Sequence, residues 1–137
     1  MMISFASCSA VSPAPFVLSV TAAQAAQLDL PGTELVVLSA CETGVGTVQT
    51  GEGVNGLRRA LVLAGAQAQV ASLWKVADTA TQELMVDYYQ RLLKGEGRSG
   101  ALRATQKAMM GNPARQHPYY WAAFIPIGNW KPLTAER

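Results

Sequence analysis

Cys41 is the residue of this sequence best placed to do chemistry. It closes the run Leu35-Val36-Val37-Leu38-Ser39-Ala40-Cys41 and is followed by Glu42-Thr43-Gly44. The thiolate is the reactive form of cysteine, and it forms at neutral pH when a base or a positive neighbour lowers the thiol pKa. Other candidate groups are scattered. They are the single histidine, in His117-Pro118-Tyr119-Tyr120-Trp121, and Asp78, just past a second apolar run. Cys8 stands in a polar leader, a context unlike that of Cys41, so a structural disulfide is not expected from the sequence. One histidine and no CxxC spacing give no metal site, and no cofactor is expected.

Gly51-Glu52-Gly53-Val54-Asn55-Gly56 is a literal GxGxxG, with Asp78 further along. A dinucleotide fingerprint needs its first glycine in the tight turn directly after a strand, so that the pyrophosphate meets the helix N-terminus. Gly51 stands too far beyond Ala40 for that, and Asp78 lies past the second apolar run. A nucleotide-binding α/β domain is therefore the weakest functional reading. The plain role of Gly44, Gly51 and Gly53 is to let a loop turn and a helix start close to the sheet.

The elements that must position Cys41 follow from periodicity. Four large aliphatic residues in a row, Leu35 to Leu38, read as a strand buried on both faces, as in parallel sheets covered by helices. Ligands and catalytic groups collect at the carboxyl ends of such strands, where Cys41 falls. A helix is predicted from near Gly53, with Leu57, Ala60, Leu61 and Ala64 on one face and Asn55, Arg58 and Arg59 opposite, ending at Gly65. Gln69 to Trp74 reads as a second strand. Thr79-x-x-Gln82 matches a capping box opening a helix to about Lys94, with Leu84, Met85, Tyr88, Tyr89 and Leu92 buried and Gly95 stopping it. Ser99 to about Met110 reads as a further helix, broken at Asn112-Pro113. Trp121 to Ile127 reads as a last strand, with Pro126 marking an edge or a bulge. Upstream, residues 1–15 carry no assignment, and Thr21 to Gln24 matches a capping box for a short helix over Ala22 to Leu28. The alternation of strands and helices predicts an α/β sandwich with a mostly parallel sheet.

Bulk properties bound the rest. The 137 residues are enough for one domain, and half of them are apolar with only 15% charged, which favours a packed core over disorder. A net charge of +2 without a basic run does not suggest nucleic acid as a partner. No apolar run approaches the ~20 residues of a membrane span, and no partner membrane is expected. Ala-x-Ala-like patterns occur near Ala22 to Ala26, but no Lys or Arg precedes Arg58 and Pro13 and Pro15 interrupt the apolar stretch. That is not a secretory signal, and a cytoplasmic location is the expectation.

Four ordered blocks carry a resemblance: Glu34 to Gly44, Gly51 to Ala60, Ala71 to Val76 and His117 to Phe124. Together they resemble the CHAT domain, a caspase-like, separase-related cysteine peptidase domain often appended to tetratricopeptide repeats in bacteria. The resemblance implies a caspase-like three-layer α/β/α sandwich with a mostly parallel sheet, here missing its first strands. It sets 1–19 apart as an unassigned leader, 20–130 as a partial domain and 131–137 as a tail. It further implies that Cys41 holds the nucleophile position of a histidine–cysteine dyad. By the same resemblance Ser72-Leu73-Trp74 lines an extended substrate, with Asp78 adding acidic character. The plainer roles are core packing for Trp74 and helix capping for Asp78.

The sequence departs from that pattern at one decisive point. The family's catalytic histidine precedes the cysteine, and no histidine precedes Cys41 here; His117 matches a later block and reads as a residue fixing the turn before the last strand. The expected function is a partial cysteine peptidase domain, weak or inactive by itself, acting on a peptide or protein substrate. The alternative is an inert interaction module of the same fold. A sheet that lacks its first strands also exposes an edge, which tetratricopeptide-repeat segments or another chain would cover.

Overall fold

The computed structural model describes residues 2–6, 25–39 and 53–134. The elements run β1 (Met2–Ala6), β2 (Leu35–Ser39), α1 (Gly53–Leu63), β3 (Ala68–Ser72), α2 (Asp78–Leu93), α3 (Arg98–Met110), a short 3-10 turn (Pro118–Tyr120) and β4 (Phe124–Gly128). They form one four-stranded sheet in the order β1-β2-β3-β4. The first three strands are parallel, and β4 runs antiparallel to β3.

Alternation along the strands sorts side chains into two helical layers. Leu35 and Val37 pack with Ala68, Val70, Leu84, Tyr88, Leu92, Leu102 and Phe124 beneath α2 and α3. Val36 packs on the other face with Leu30, Ala60, Leu61 and Ala66, alongside α1 and the residues before β2. Every residue of β3 is buried, so the sheet is covered on both sides as the aliphatic run requires. This is the three-layer α/β/α arrangement with a mostly parallel sheet. No helix among the described residues is long and apolar enough to cross a membrane.

Several boundaries differ from the sequence reading. Met2–Ala6 was without assignment, yet it pairs along β2, with Met2 opposite Leu35 and Ala6 opposite Ser39. The outer edge of β2 is therefore covered within the chain, and the two edge strands of the described sheet are β1 and β4. β3 begins and ends earlier than Gln69 to Trp74, because the chain leaves the sheet after Ser72. Ala77, not Thr79, is the N-cap of α2, so the capping box does not form, and α3 is capped by Gly97 with Ser99 already inside it. β4 starts at Phe124 rather than Trp121. Its Pro126 sits opposite Val70 on an edge strand, where the missing N–H costs no ladder bond on the open side. Of the short upstream helix expected to reach Leu28, residues 25–28 are described: Ala25 and Ala26 are helical, Gln27 is in a turn and Leu28 lies past the helix. Phe16 to Leu18 and the Thr21 to Gln24 box lie outside the described residues.

A buried ion pair ties the start of β2 to the C-terminal segment. Arg98, whose side chain is 3% exposed, donates from Nη2 to Glu34 Oε1 at 3.1 Å. Glu34 also accepts the Thr134 N–H at 2.8 Å and the Thr134 hydroxyl. Those two hydrogen bonds, aided by the Arg98 charge, hold the Glu34 carboxyl below the usual carboxylate range. A carboxyl with a depressed folded pKa contributes stability above its ordinary value, and that contribution is lost as pH falls through the folded value. Stability is therefore expected to drop with pH below about 4.3, the ordinary glutamate pKa. Urea unfolding across that range should show a smaller drop in Glu34→Gln. Glu34→Ala should cost about 3 kcal/mol or more at neutral pH, because it strands a buried guanidinium.

At the other end of β4, Gly128 has φ +89, and a Cβ there would lie 2.5 Å from the Gln67 carbonyl oxygen. Gly128→Ala should lower unfolding free energy by about 2 kcal/mol or more, combining left-handed strain with that clash. Denaturant midpoints of the two proteins measure it.

Candidate functional site

The carboxyl ends of the three parallel strands, at Ala6, Ser39 and Ser72, share one edge of the sheet. Antiparallel β4 brings its N-terminal end, and the 3-10 turn before it, to that same edge. Leu38 pairs with Ala71, so the chain leaves β2 beside the point where it leaves β3. Cys41 follows Ser39 by two residues. Cys41, Gly44, Gly51 and Glu52 themselves lie outside the described residues, and Gly53 is the first residue of α1. The glycines of the fingerprint-like run thus lead into a helix well past the strand, not in the turn that a pyrophosphate requires.

The segment after β3 is built in detail. Ser72 is the buried last residue of the strand. The Leu73 N–H donates to the Ala123 carbonyl at 2.8 Å, continuing the β3–β4 pairing one residue further. Beyond it the chain turns outward: Leu73 is 50% exposed and Trp74 38%. Trp74 is therefore not a core residue. Its indole N–H donates to the Tyr119 carbonyl at 3.1 Å, and the Tyr119 hydroxyl donates to the Lys75 carbonyl at 2.8 Å. Tyr119 thus clamps the segment by both its backbone and its side chain.

The clamp is itself held from behind. Gln106 of α3 donates through Nε2 to the carbonyls of Trp121 and Phe124 at 3.0 and 2.9 Å. Arg115 makes a two-point contact with Glu83 of α2, both bonds 2.9 Å, and its guanidinium lies 5.3 Å from the Tyr120 ring centroid. Those hydrogen bonds keep the Glu83 carboxyl below its usual range. A two-point arginine–carboxylate contact fixes orientation as well as proximity.

His117 belongs to this assembly as a cap. Its Nδ1 accepts the Tyr119 N–H at 3.1 Å, and Pro118 supplies the fixed φ that starts the turn. A neutral imidazole whose Nδ1 accepts a hydrogen bond carries its proton on Nε2. In that tautomer the exposed nitrogen is a donor, not a base. His117 thereby caps the short 3-10 turn that precedes β4. Asp78 is exposed and opens α2 with negative charge near the helix N-terminus, but it is not the cap, which is Ala77. The sequence reading quoted Tyr119 within a block and gave it no role. The His-Pro pair followed by two aromatic residues was the available signal, but its partner segment lies more than forty residues away, at Trp74 and Lys75.

A sheet covered on both faces, with its working edge at the strand ends, defines an α/β/α sandwich domain. The chain belongs to the CHAT domain family, related to caspase-like peptidases: the family model for the CHAT domain matches residues 17–129. It is 38% identical over 112 residues to human Tetratricopeptide repeat protein 28, and 37% identical over 112 residues to the mouse protein of that name. Each alignment takes in 82% of this chain and 4% of the relative, so the chain spans only a small part of the length of the curated relatives it matches. Both relatives are mammalian, so a bacterial setting does not follow from the family.

Removing the Tyr119 hydroxyl tests the clamp. Tyr119→Phe should speed amide hydrogen exchange in the segment around Leu73 to Val76 while lowering global stability by no more than about 1.5 kcal/mol, the scale of one hydrogen bond. Exchange read by mass spectrometry, set against urea unfolding, separates the local effect from the global one.

Proposed function

We propose that this chain is the cysteine-bearing part of a caspase-like cysteine peptidase domain, with Cys41 as nucleophile and Ser72-Leu73-Trp74 lining an extended peptide. The observation that carries the reading is the shared edge: β2, which leads to Cys41, ends beside the exposed and clamped extension of β3. In the proposed reaction the Cys41 thiolate attacks the scissile carbonyl carbon. The tetrahedral intermediate expels the amine, which takes up a proton, and water then hydrolyses the thioester. Backbone N–H groups at the strand-end loop would steady the oxyanion. Asp78, exposed at the start of α2, would add negative charge near the lined segment.

The base is what this sequence does not offer. His117 is its single histidine, and Nδ1 of that residue is engaged by a backbone N–H. An unassisted thiol with pKa about 8.5 is only a few per cent thiolate at neutral pH, so the isolated chain should hydrolyse peptides weakly. The same observation favours a second reading, an interaction module that keeps the fold without the chemistry. In either case the partner is a peptide or protein, and the names of the relatives support tetratricopeptide repeats as the accompanying recognition segments.

A peptidyl electrophile that alkylates thiols separates the two readings. The peptidase reading expects labelling of Cys41 that requires the folded chain, is competed by peptide and disappears in Cys41→Ala. It also expects His117→Asn, which keeps a capping acceptor, to label at an unchanged rate. Labelling confined to Cys8, or equally fast in denaturing urea, overturns the peptidase reading and leaves the interaction module.

A further inference from the structure

α2 carries apolar side chains on two faces. Its core side is Ala80, Leu84, Tyr88 and Leu92, all buried. On the opposite side Val86 is 51% exposed and Leu93 84%. Two helical turns separate them, with half-buried Tyr89 between and Gln82 one turn before Val86. Spacings of four, three and four residues from Gln82 to Leu93 line up on one helical face, the geometry of a seam between two helices. A lone exposed aliphatic residue is ordinary, but two on one outward stripe are not scattered singly. Charge is segregated along the same helix. Asp78, Glu83 and Asp87 lie in its first part, with no Lys or Arg among them. Arg91 stands in its last turn and Lys94 is its C-cap, with no Asp or Glu between Asp87 and Lys94.

We propose that the outer face of α2 is a self-association surface, on which two copies of this chain pair weakly and reversibly with their α2 helices antiparallel. A two-fold axis crossing the helix between Tyr89 and Gln90 makes the contact isologous. It sets Val86 against Leu93 of the partner subunit, and Leu93 against Val86 of the partner subunit, which removes all four from water. The same axis brings the acidic part of one helix beside the basic end of the other. Lys94 then falls within a turn of Glu83 of the partner subunit. Glu83 meets Arg115 in its own chain, but its side chain is 51% exposed, so the carboxylate can accept a second cation. Antiparallel pairing also sets the two helix dipoles head to tail. Parallel pairing would place carboxylates beside carboxylates along the seam. The small apolar area of the stripe is what makes the contact weak. The pairing requires neither Cys41 nor the segment after β3, so it stands apart from the peptidase reading.

Sedimentation velocity on the full chain over a range of concentrations tests this. The sedimentation coefficient should rise from monomer toward dimer as the concentration approaches about 1 mM, the regime of weak complexes. Replacing both exposed aliphatic residues, Val86→Gln with Leu93→Gln, should weaken dimerisation about tenfold or more, because they anchor the contact. Both side chains point outward, so the circular dichroism spectrum and the urea midpoint should stay as they are. Lys94→Glu should also weaken the dimer, most strongly at low salt, and adding Glu83→Lys should restore it by exchanging the two signs. Arg103→Glu makes the same change of charge at an exposed position of α3 and should leave the dimer unchanged. A chain that stays monomeric at every concentration overturns the proposal. So does a dimer indifferent to Val86→Gln with Leu93→Gln, or one that the exchange of charges at positions 83 and 94 does not restore.

Discussion

The residues Leu35, Val36 and Val37 of β2 have no side that faces water. Val36 packs toward α1 while Leu35 and Val37 pack toward α2 and α3, and all three are at most 2% exposed. Its two edges are occupied by β1 and β3. Burying each such side chain is worth about 1.5–3 kcal/mol, so a strand enclosed this way tolerates neither a slip of register nor a polar substitution. The rest of the molecule answers to that constraint. Helices must cover both faces, and parallel strands must flank the core strand.

The opposite ends of the sheet are secured by different means. At the amino end of β2, Arg98, Glu34 and Thr134 form a charged clasp that draws the C-terminal segment against the first turn of α3. At the carboxyl end, the fixing is done by neutral hydrogen bonds around Tyr119 and by the contact of Arg115 with Glu83. Arg98 of the clasp is buried, and the clasp closes a structural seam. The Tyr119 assembly is exposed and holds Leu73 and Trp74 out of the core, where another chain can meet them. An exposed tryptophan with its indole N–H already satisfied presents an apolar face at no hydrogen-bonding cost.

The elements that were legible were those with a strong period and a local stop. Leu84, Tyr88 and Leu92 recur on one helical face and Gly95, at φ +87, ends the turn, so α2 was readable to within a residue at its C-terminal end. Its start was not, because Thr79 and Gln82 satisfy the pattern of a capping box while the chain enters the helix two residues too early for Thr79 to serve as cap. β1 was illegible for a different reason. Met2 to Ala6 is short and mixed in polarity, and only pairing with β2 makes it a strand. Pro126 was informative because a missing N–H restricts its neighbours wherever it falls, and the edge position predicted from it is the one β4 takes.

The sequence by itself determined the layered α/β class, the buried strand and the family. These are matters of residue type and local spacing. The tertiary structure alone decided that Trp74 is a held, exposed residue rather than core, that the Nδ1 atom of His117 is spent on a cap, and that Ala6 and Ser39 are neighbours. Each depends on residues far apart in the chain, and hydrogen-bond direction and strand register come into being only when those residues meet.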